Sequence, residues 1–250
     1  MSRPLTGRRV VVTRPVGQSG ELVDRLTALG AAVVELPLTR VVPIAESAEI
    51  DEALDRLASY DLIVLTSVNG ATCFGARLAS RGIAPAQATK IVAVGAATAK
   101  SLRDHGLGVD RIPQRATGEA IVMELADVDL DGRRILLPRA LVGRPELPAG
   151  LRRVGALVDD VPFYETVRSR VTPAAVAAAL AADDIVLTAP SGVEAFAELV
   201  GREIAFALRV VTIGPTTSEA ARHAGFTVSA ESPEQSVDGL IAAIQSLRNR

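Results

Sequence analysis

The sequence has one cysteine, no tryptophan, two histidines and only two lysines, Lys90 and Lys100. A lone Cys73 excludes an intrachain disulfide and a cysteine-cluster metal site. His105 and His223 stand near the ends of helical patterns, remote from the cysteine and without metal-ligand spacing, so they read as helix C-terminal residues rather than ligands. Aromatic residues make up 3% of the chain, too few for a base-stacking platform, and a net charge of −2 provides no basic field for nucleic acid. No apolar run approaches the roughly 18 residues of a membrane span, and the N-terminus lacks the apolar core of a secretion signal. A cytoplasmic protein that binds neither nucleic acid nor membrane is expected. Neither a Gly-Lys-Ser/Thr loop nor a G-x-G-x-x-G turn follows a strand pattern, so nucleotide binding has no specific support.

What is present is a repeat. Gly7-Arg8-Arg9-Val10-Val11-Val12-Thr13-Arg14 aligns with Gly132-Arg133-Arg134-Ile135-Leu136-Leu137-Pro138-Arg139 at an offset of 125. The same offset carries Gly30-Ala31 onto Gly155-Ala156 and Pro37 onto Pro162. Ile63-Val64-Leu65-Thr66 recurs as Ile185-Val186-Leu187-Thr188, and Gly95 and Thr98 recur as Gly214 and Thr217. Four blocks in one order imply an internal duplication. At 250 residues, 48% of them hydrophobic, the chain suits two domains, each with its own core.

Short, unbroken Val/Ile/Leu runs alternate with Ala/Leu/Glu/Arg-rich helical stretches. Strands are predicted at residues 9–13, 32–36, 62–66, 91–94, 111–113, 134–138, 156–160, 185–188, 209–213 and 227–229. Continuous apolar runs suit parallel strands covered on both faces. The fold class is therefore α/β, with two doubly wound, flavodoxin-like parallel sheets. Residues 36–44 and 161–167 break the rhythm, being extended, β-branched and proline-bearing in equivalent places. Either the domains follow one another, or the chain crosses at both segments so that they form a paired linker. Periodicity does not choose.

In open parallel sheets, ligands lie beyond the C-terminal strand ends, where helix N-termini aim free N–H groups outward. Those turns here are small and hydroxylated: Thr66-Ser67-Val68-Asn69-Gly70, Gly95-Ala96-Ala97-Thr98, Thr188-Ala189-Pro190-Ser191-Gly192 and Gly214-Pro215-Thr216-Thr217-Ser218. Each alone reads as helix capping. Four in equivalent places point to an anion-binding cleft. Arg14 and Arg139, at matching strand ends, suit carboxylates or phosphates. Ser191 lacks the flanking glycine of a nucleophile elbow. Asp183-Asp184 read as a solvated turn. Tyr164 is one of two tyrosines and falls in the second extended segment.

The order and spacing of several segments resemble the uroporphyrinogen-III synthase family over nearly the whole chain. They are Val11-Val12-Thr13-Arg14-Pro15, Leu62-Ile63-Val64-Leu65-Thr66-Ser67, Val92-Ala93-Val94-Gly95, Leu136-Leu137-Pro138-Arg139-Ala140, Tyr164-Glu165-Thr166, Leu187-Thr188-Ala189-Pro190-Ser191-Gly192 and Val211-Thr212-Ile213-Gly214-Pro215-Thr216-Thr217. The resemblance implies the crossed arrangement: residues 1–37 with 168–250 as an outer domain, 45–160 as a middle domain, and 38–44 and 161–167 as linkers. It also implies cyclisation of the linear tetrapyrrole hydroxymethylbilane to uroporphyrinogen III, with loss of water and inversion of ring D, in a cleft between the domains. It implies no cofactor or metal, a monomer, and the preceding pathway enzyme as a candidate partner. Tyr164 is the candidate general acid by this resemblance. Arg14, Thr66, Ser67, Asn69, Gly95, Thr98, Arg139, Ser191, Gly192, Gly214, Thr216 and Thr217 are the candidate substrate-binding residues. The competing readings are a non-catalytic two-domain anion-binding protein and a nucleotide-dependent transferase.

Overall fold

A computed structural model describes residues 3–45, 47–114, 118–125, 129–201 and 208–247. The chain divides into two compact units: unit 1 is Met1–Arg40 with Val167–Arg250, and unit 2 is Val41–Thr166.

Unit 1 carries strands β1 (Arg9–Val12), β2 (Ala32–Glu35), β8 (Asp184–Leu187), β9 (Arg209–Thr212) and β10 (Val228–Glu231) in the order β10-β9-β8-β1-β2, all neighbours parallel. Its helices are α1 (Gly20–Ala28), α7 (Pro173–Leu180), α8 (Pro190–Val200), α9 (Pro215–His223) and α10 (Val237–Ser246). In unit 2, β3 (Thr39–Pro43), β4 (Leu62–Leu65), β5 (Lys90–Ala93), β6 (Arg134–Ala140) and β7 (Leu157–Arg168) form a sheet in the order β3-β7-β6-β4-β5. The run β7-β6-β4-β5 is parallel. Around it lie α2 (Ala48–Asp55), α3 (Val68–Arg81), α4 (Ala96–Asp104), α5 (Gly118–Glu124) and α6 (Glu146–Arg153). Segments matched in the sequence hold corresponding ranks: β2-β1-β8-β9 in one sheet is mirrored by β7-β6-β4-β5 in the other.

The unbroken apolar strands follow from burial on both faces. Side chains alternate across a strand, and here each face meets its own helix layer. In unit 2, Ile63, Leu65, Ile91, Ala93 and Leu136 join one core, and Leu62, Val64, Val92, Ile135 and Leu137 join another. In unit 1, Val11, Ile185, Leu187 and Val210 separate in the same way from Val10, Val12, Val186 and Val211.

Three expectations change. The strand predicted at 156–160 and the segment 161–167 are one twelve-residue strand, β7. The extension has a partner, because β6 continues through Pro138, Arg139 and Ala140 and holds Val161, Pro162 and Tyr164 in register, with an irregularity after Arg139. The predicted strand at 111–113 contributes only an isolated bridge from Arg111 to Val92. Asp183-Asp184 is not a solvated turn. Asp183 is exposed, but Asp184 opens β8 with 0% exposure and pairs with Arg8 and Arg209.

Candidate functional site

Tyr164 sits near the end of β7, buried to 6% exposure. Its position is set by backbone pairing: it stands opposite Ala140, and its carbonyl accepts the Leu141 N–H at 2.7 Å. The phenol reaches α3. Ser67 caps that helix, its Oγ accepting the Gly70 N–H at 3.0 Å, and the Tyr164 hydroxyl lies 2.9 Å from the same oxygen. Asn69 is a second hydrogen-bond partner of the phenol. Gly70 permits the approach of this strand, since a Cβ there would stand 3.0 Å from the Pro138 carbonyl and 3.8 Å from the Tyr164 ring. Burial pushes the Tyr164 pKa up, against the opposing hydrogen bonds from Ser67 and Asn69, so the hydroxyl keeps its proton at neutral pH.

Beside it lies a cavity of about 410 Å³, within unit 2. Val64, Ile121, Leu137, Leu147 and Pro148 make its apolar wall; Thr66, Arg139, Arg144, Glu146 and Tyr164 supply polar groups. Arg139 is a side-on partner of Asp160, with Nε and Nη2 donating to the two carboxylate oxygens, the latter bond being 2.7 Å. The structure thus brings Tyr164, Ser67, Asn69, Thr66 and Arg139 to one end of the unit 2 sheet.

Thr98 is not among the exposed groups. It and its counterpart Thr217 are each 3% exposed, because the third residue of a helix leaving a strand end turns back toward the sheet. Gly95, before α4, has φ +91°, a conformation that glycine alone adopts without strain. A Gly95→Ala variant is expected to lose roughly 1–3 kcal/mol, read as a lower thermal midpoint. Since no atom lies within 4 Å of the added Cβ, the loss would be purely conformational.

In unit 1, Ser191 and Thr216 are at least partly accessible, while Gly192 and Gly214 are buried. Arg168, at the end of β7, donates to the Ser191 carbonyl at 2.6 Å and forks onto Glu198. Arg14 is half-buried; desolvation lowers its pKa, partly offset by Glu21, and it makes no ion pair among the described residues. His105 and His223 bond the carbonyls four residues back in their own helices, at 2.8 and 3.0 Å. Sequence reasoning missed Asp160 and Arg168. Asp159-Asp160 was legible as an acidic pair inside a β-branched run; the charge at Arg168 gave no signal above its many exposed counterparts.

Among the described residues, no group of three or more His, Cys, Asp or Glu side chains could hold a metal, and no helix is long and apolar enough to cross a membrane. The family model described as HEM4, uroporphyrinogen-III synthase HemD, matches residues 20–242. The uroporphyrinogen-III synthase of Synechococcus elongatus is 30% identical over 97% of this chain and 96% of its own length. The porphyrin biosynthesis protein HemD of Ruminiclostridium josui is 34% identical over 89% of this chain, which spans 45% of that longer protein. The crystal structure of uroporphyrinogen-III synthetase from Helicobacter pylori superposes with a TM-score of 0.65 at 21% identity, covering 96% of this chain and 100% of that one, and shows the shared α/β fold.

Proposed function

The chain belongs to the uroporphyrinogen-III synthase family, and we propose that it cyclises hydroxymethylbilane to uroporphyrinogen III with Tyr164 as the proton donor. The observation that carries the assignment of Tyr164 is its neutral phenol, held at the α3 N-terminus by Ser67 and lining a partly apolar cavity that also contains an arginine.

The chemistry asks little of the protein beyond placement. Departure of the hydroxyl from the hydroxymethyl group is driven by the pyrrole nitrogen lone pair and needs one proton, which the phenol gives, so that water leaves. The resulting azafulvene is attacked by the substituted carbon of ring D. The spiro intermediate then opens and recloses through the unsubstituted carbon of that ring, now inverted, and the proton this carbon loses on rearomatisation replaces the one the phenol gave. Uncatalysed closure takes the unsubstituted carbon and gives the type I isomer. Catalysis therefore consists largely of holding one conformer. The substrate's many carboxylates call for donors in both units: Arg139, Thr66, Ser67, Asn69 and Gly95 in unit 2, and Arg14, Ser191, Gly214 and Thr216 in unit 1, the buried Thr98 and Thr217 serving the sheet instead. The two units are read as halves exchanged within an internal duplication, which accounts for the matched strand ranks.

Freshly prepared hydroxymethylbilane, incubated with the protein and a chelator but no nucleotide, is expected to yield the type III isomer, resolved from type I by chromatography after oxidation to the porphyrins. Accumulation of type I alone, at the uncatalysed rate, would refute the proposal and favour a binding protein.

A further inference from the structure

We propose that the 410 Å³ cavity of unit 2 is a subsite for one carboxylate-bearing pyrrole ring, with Arg139 Nη1 as the carboxylate ligand and Asp160 as the positioning residue. The inference rests on the synthase reading and adds to it a definite location for one ring.

Three observations converge. First, Arg139 is only partly committed. Asp160 takes Nε and Nη2, leaving Nη1 buried without a hydrogen-bond partner. A buried guanidinium nitrogen with no acceptor is costly, and a carboxylate is the group that best satisfies it. Second, Nη1 lies against Gly143, where a Cβ would overlap it, and both residues line the cavity. A glycine here makes room for the nitrogen itself, which any larger residue would displace from the cavity wall. Third, the remaining walls are those a flat apolar ring needs: Val64, Ile121, Leu137 and Leu147 on the inside, and Val142, 89% exposed, at the mouth. An exposed valine gains by covering a ring. Rim charges are mixed, with Arg144 available to a second carboxylate and Glu146 opposing a dianion bound anywhere else on the rim.

Asp160 fixes the plane of the guanidinium by its two parallel bonds, which aims Nη1 and keeps the site close to neutral. The ligand is thereby selected by geometry and apolar contact together rather than by charge alone.

The test uses porphobilinogen, a pyrrole with two carboxylate arms, and its dimethyl ester, titrated against the whole ¹⁵N-labelled protein. Shifts are expected at the Gly143 and Arg144 amides and at the Arg139 side chain, with the ester binding about tenfold or more weakly. Arg139→Met would strand Asp160, so the double variant Arg139→Met/Asp160→Leu removes both charges and preserves the fold; it should weaken porphobilinogen by about tenfold and raise KM for hydroxymethylbilane by a similar factor, with kcat little changed. Leu147→Phe, which narrows the cavity while leaving the ion pair intact, should also weaken binding. Equal affinity for acid and ester, shifts that map to other residues, or parental binding and KM in both variants would overturn the subsite. Type III production by the parent protein alongside any of these leaves the synthase reading standing. A parent that binds porphobilinogen in the cavity yet makes no type III isomer sustains the subsite and removes the reading.

Discussion

Replacing Tyr164 by phenylalanine is expected to lower kcat for the type III isomer by about two orders of magnitude, at the lower end of what a positioned general acid contributes, and to raise the type I share of the product. Phenylalanine keeps the buried ring and loses only the hydroxyl, with its bonds to Ser67 and Asn69. Ser67 still accepts the Gly70 N–H, so α3 keeps its cap and stability should fall by only about 1 kcal/mol. A large kinetic loss with an almost unchanged thermal midpoint is therefore the signature of an acid, whereas a structural tyrosine would move the two together. The pH profile gives a second reading. An acid works only while protonated, and its contribution is lost as pH rises through its pKa. Because burial raises that pKa above the ordinary phenol value, the parent enzyme should show no alkaline limb from this residue in the pH range below that in which a free phenol titrates. A variant that turns over at the parental rate dismisses Tyr164 as the donor.

Much of the architecture was legible because both faces of each sheet are covered. Strands such as Leu62–Leu65 and Asp184–Leu187, every residue of which is buried, leave unbroken runs that no exposed sheet would tolerate. The expected end of β7 at residue 160 and its actual end at Arg168 differ for a tertiary reason: Pro162 cannot donate to a ladder, but β6 runs on beside it and the register shifts after Arg139. The site was legible in parts. The hydroxylated turn at Ser67 and the tyrosine at 164 could each be named, yet their 2.9 Å contact spans 97 residues and follows from strand register alone. The same holds for Arg139, which looked like a free anion ligand and is instead half satisfied by Asp160 across the β6–β7 pair. Thr98 and Thr217 show the opposite error of scale. The residue type was informative, but one step along a helix decides whether a hydroxyl meets solvent or the sheet, and composition carries no such phase.

Asp184→Ala is expected to be the most destabilising single substitution at an ionised residue, at about 3–5 kcal/mol, lowering the thermal midpoint by roughly 10 °C. Asp184 is wholly buried at the first position of β8 and meets Arg8 on one side and Arg209 Nε at 3.0 Å on the other. Its removal strands Arg8, whose side chain is only 11% exposed, with no compensating charge at that point. Asp183 is the internal control. It is exposed and accepts the Arg9 N–H at 2.7 Å, so Asp183→Ala should cost about 1 kcal/mol. A large gap between two adjacent aspartates distinguishes a buried charge from a turn, and equal small losses would return Asp184 to the solvated reading. The acid lies at the N-terminal end of its strand, opposite the strand ends that carry Ser191, so Asp184→Ala assayed well below its midpoint should make the type III isomer at the parental rate. Arg8→Leu/Asp184→Leu supplies the last discrimination. If the cost of Asp184→Ala is the uncompensated charge of Arg8, removing Arg8 with it and leaving only the part-exposed Arg209 restores most of the lost stability; if it is lost packing, the double variant stays as unstable as the single one.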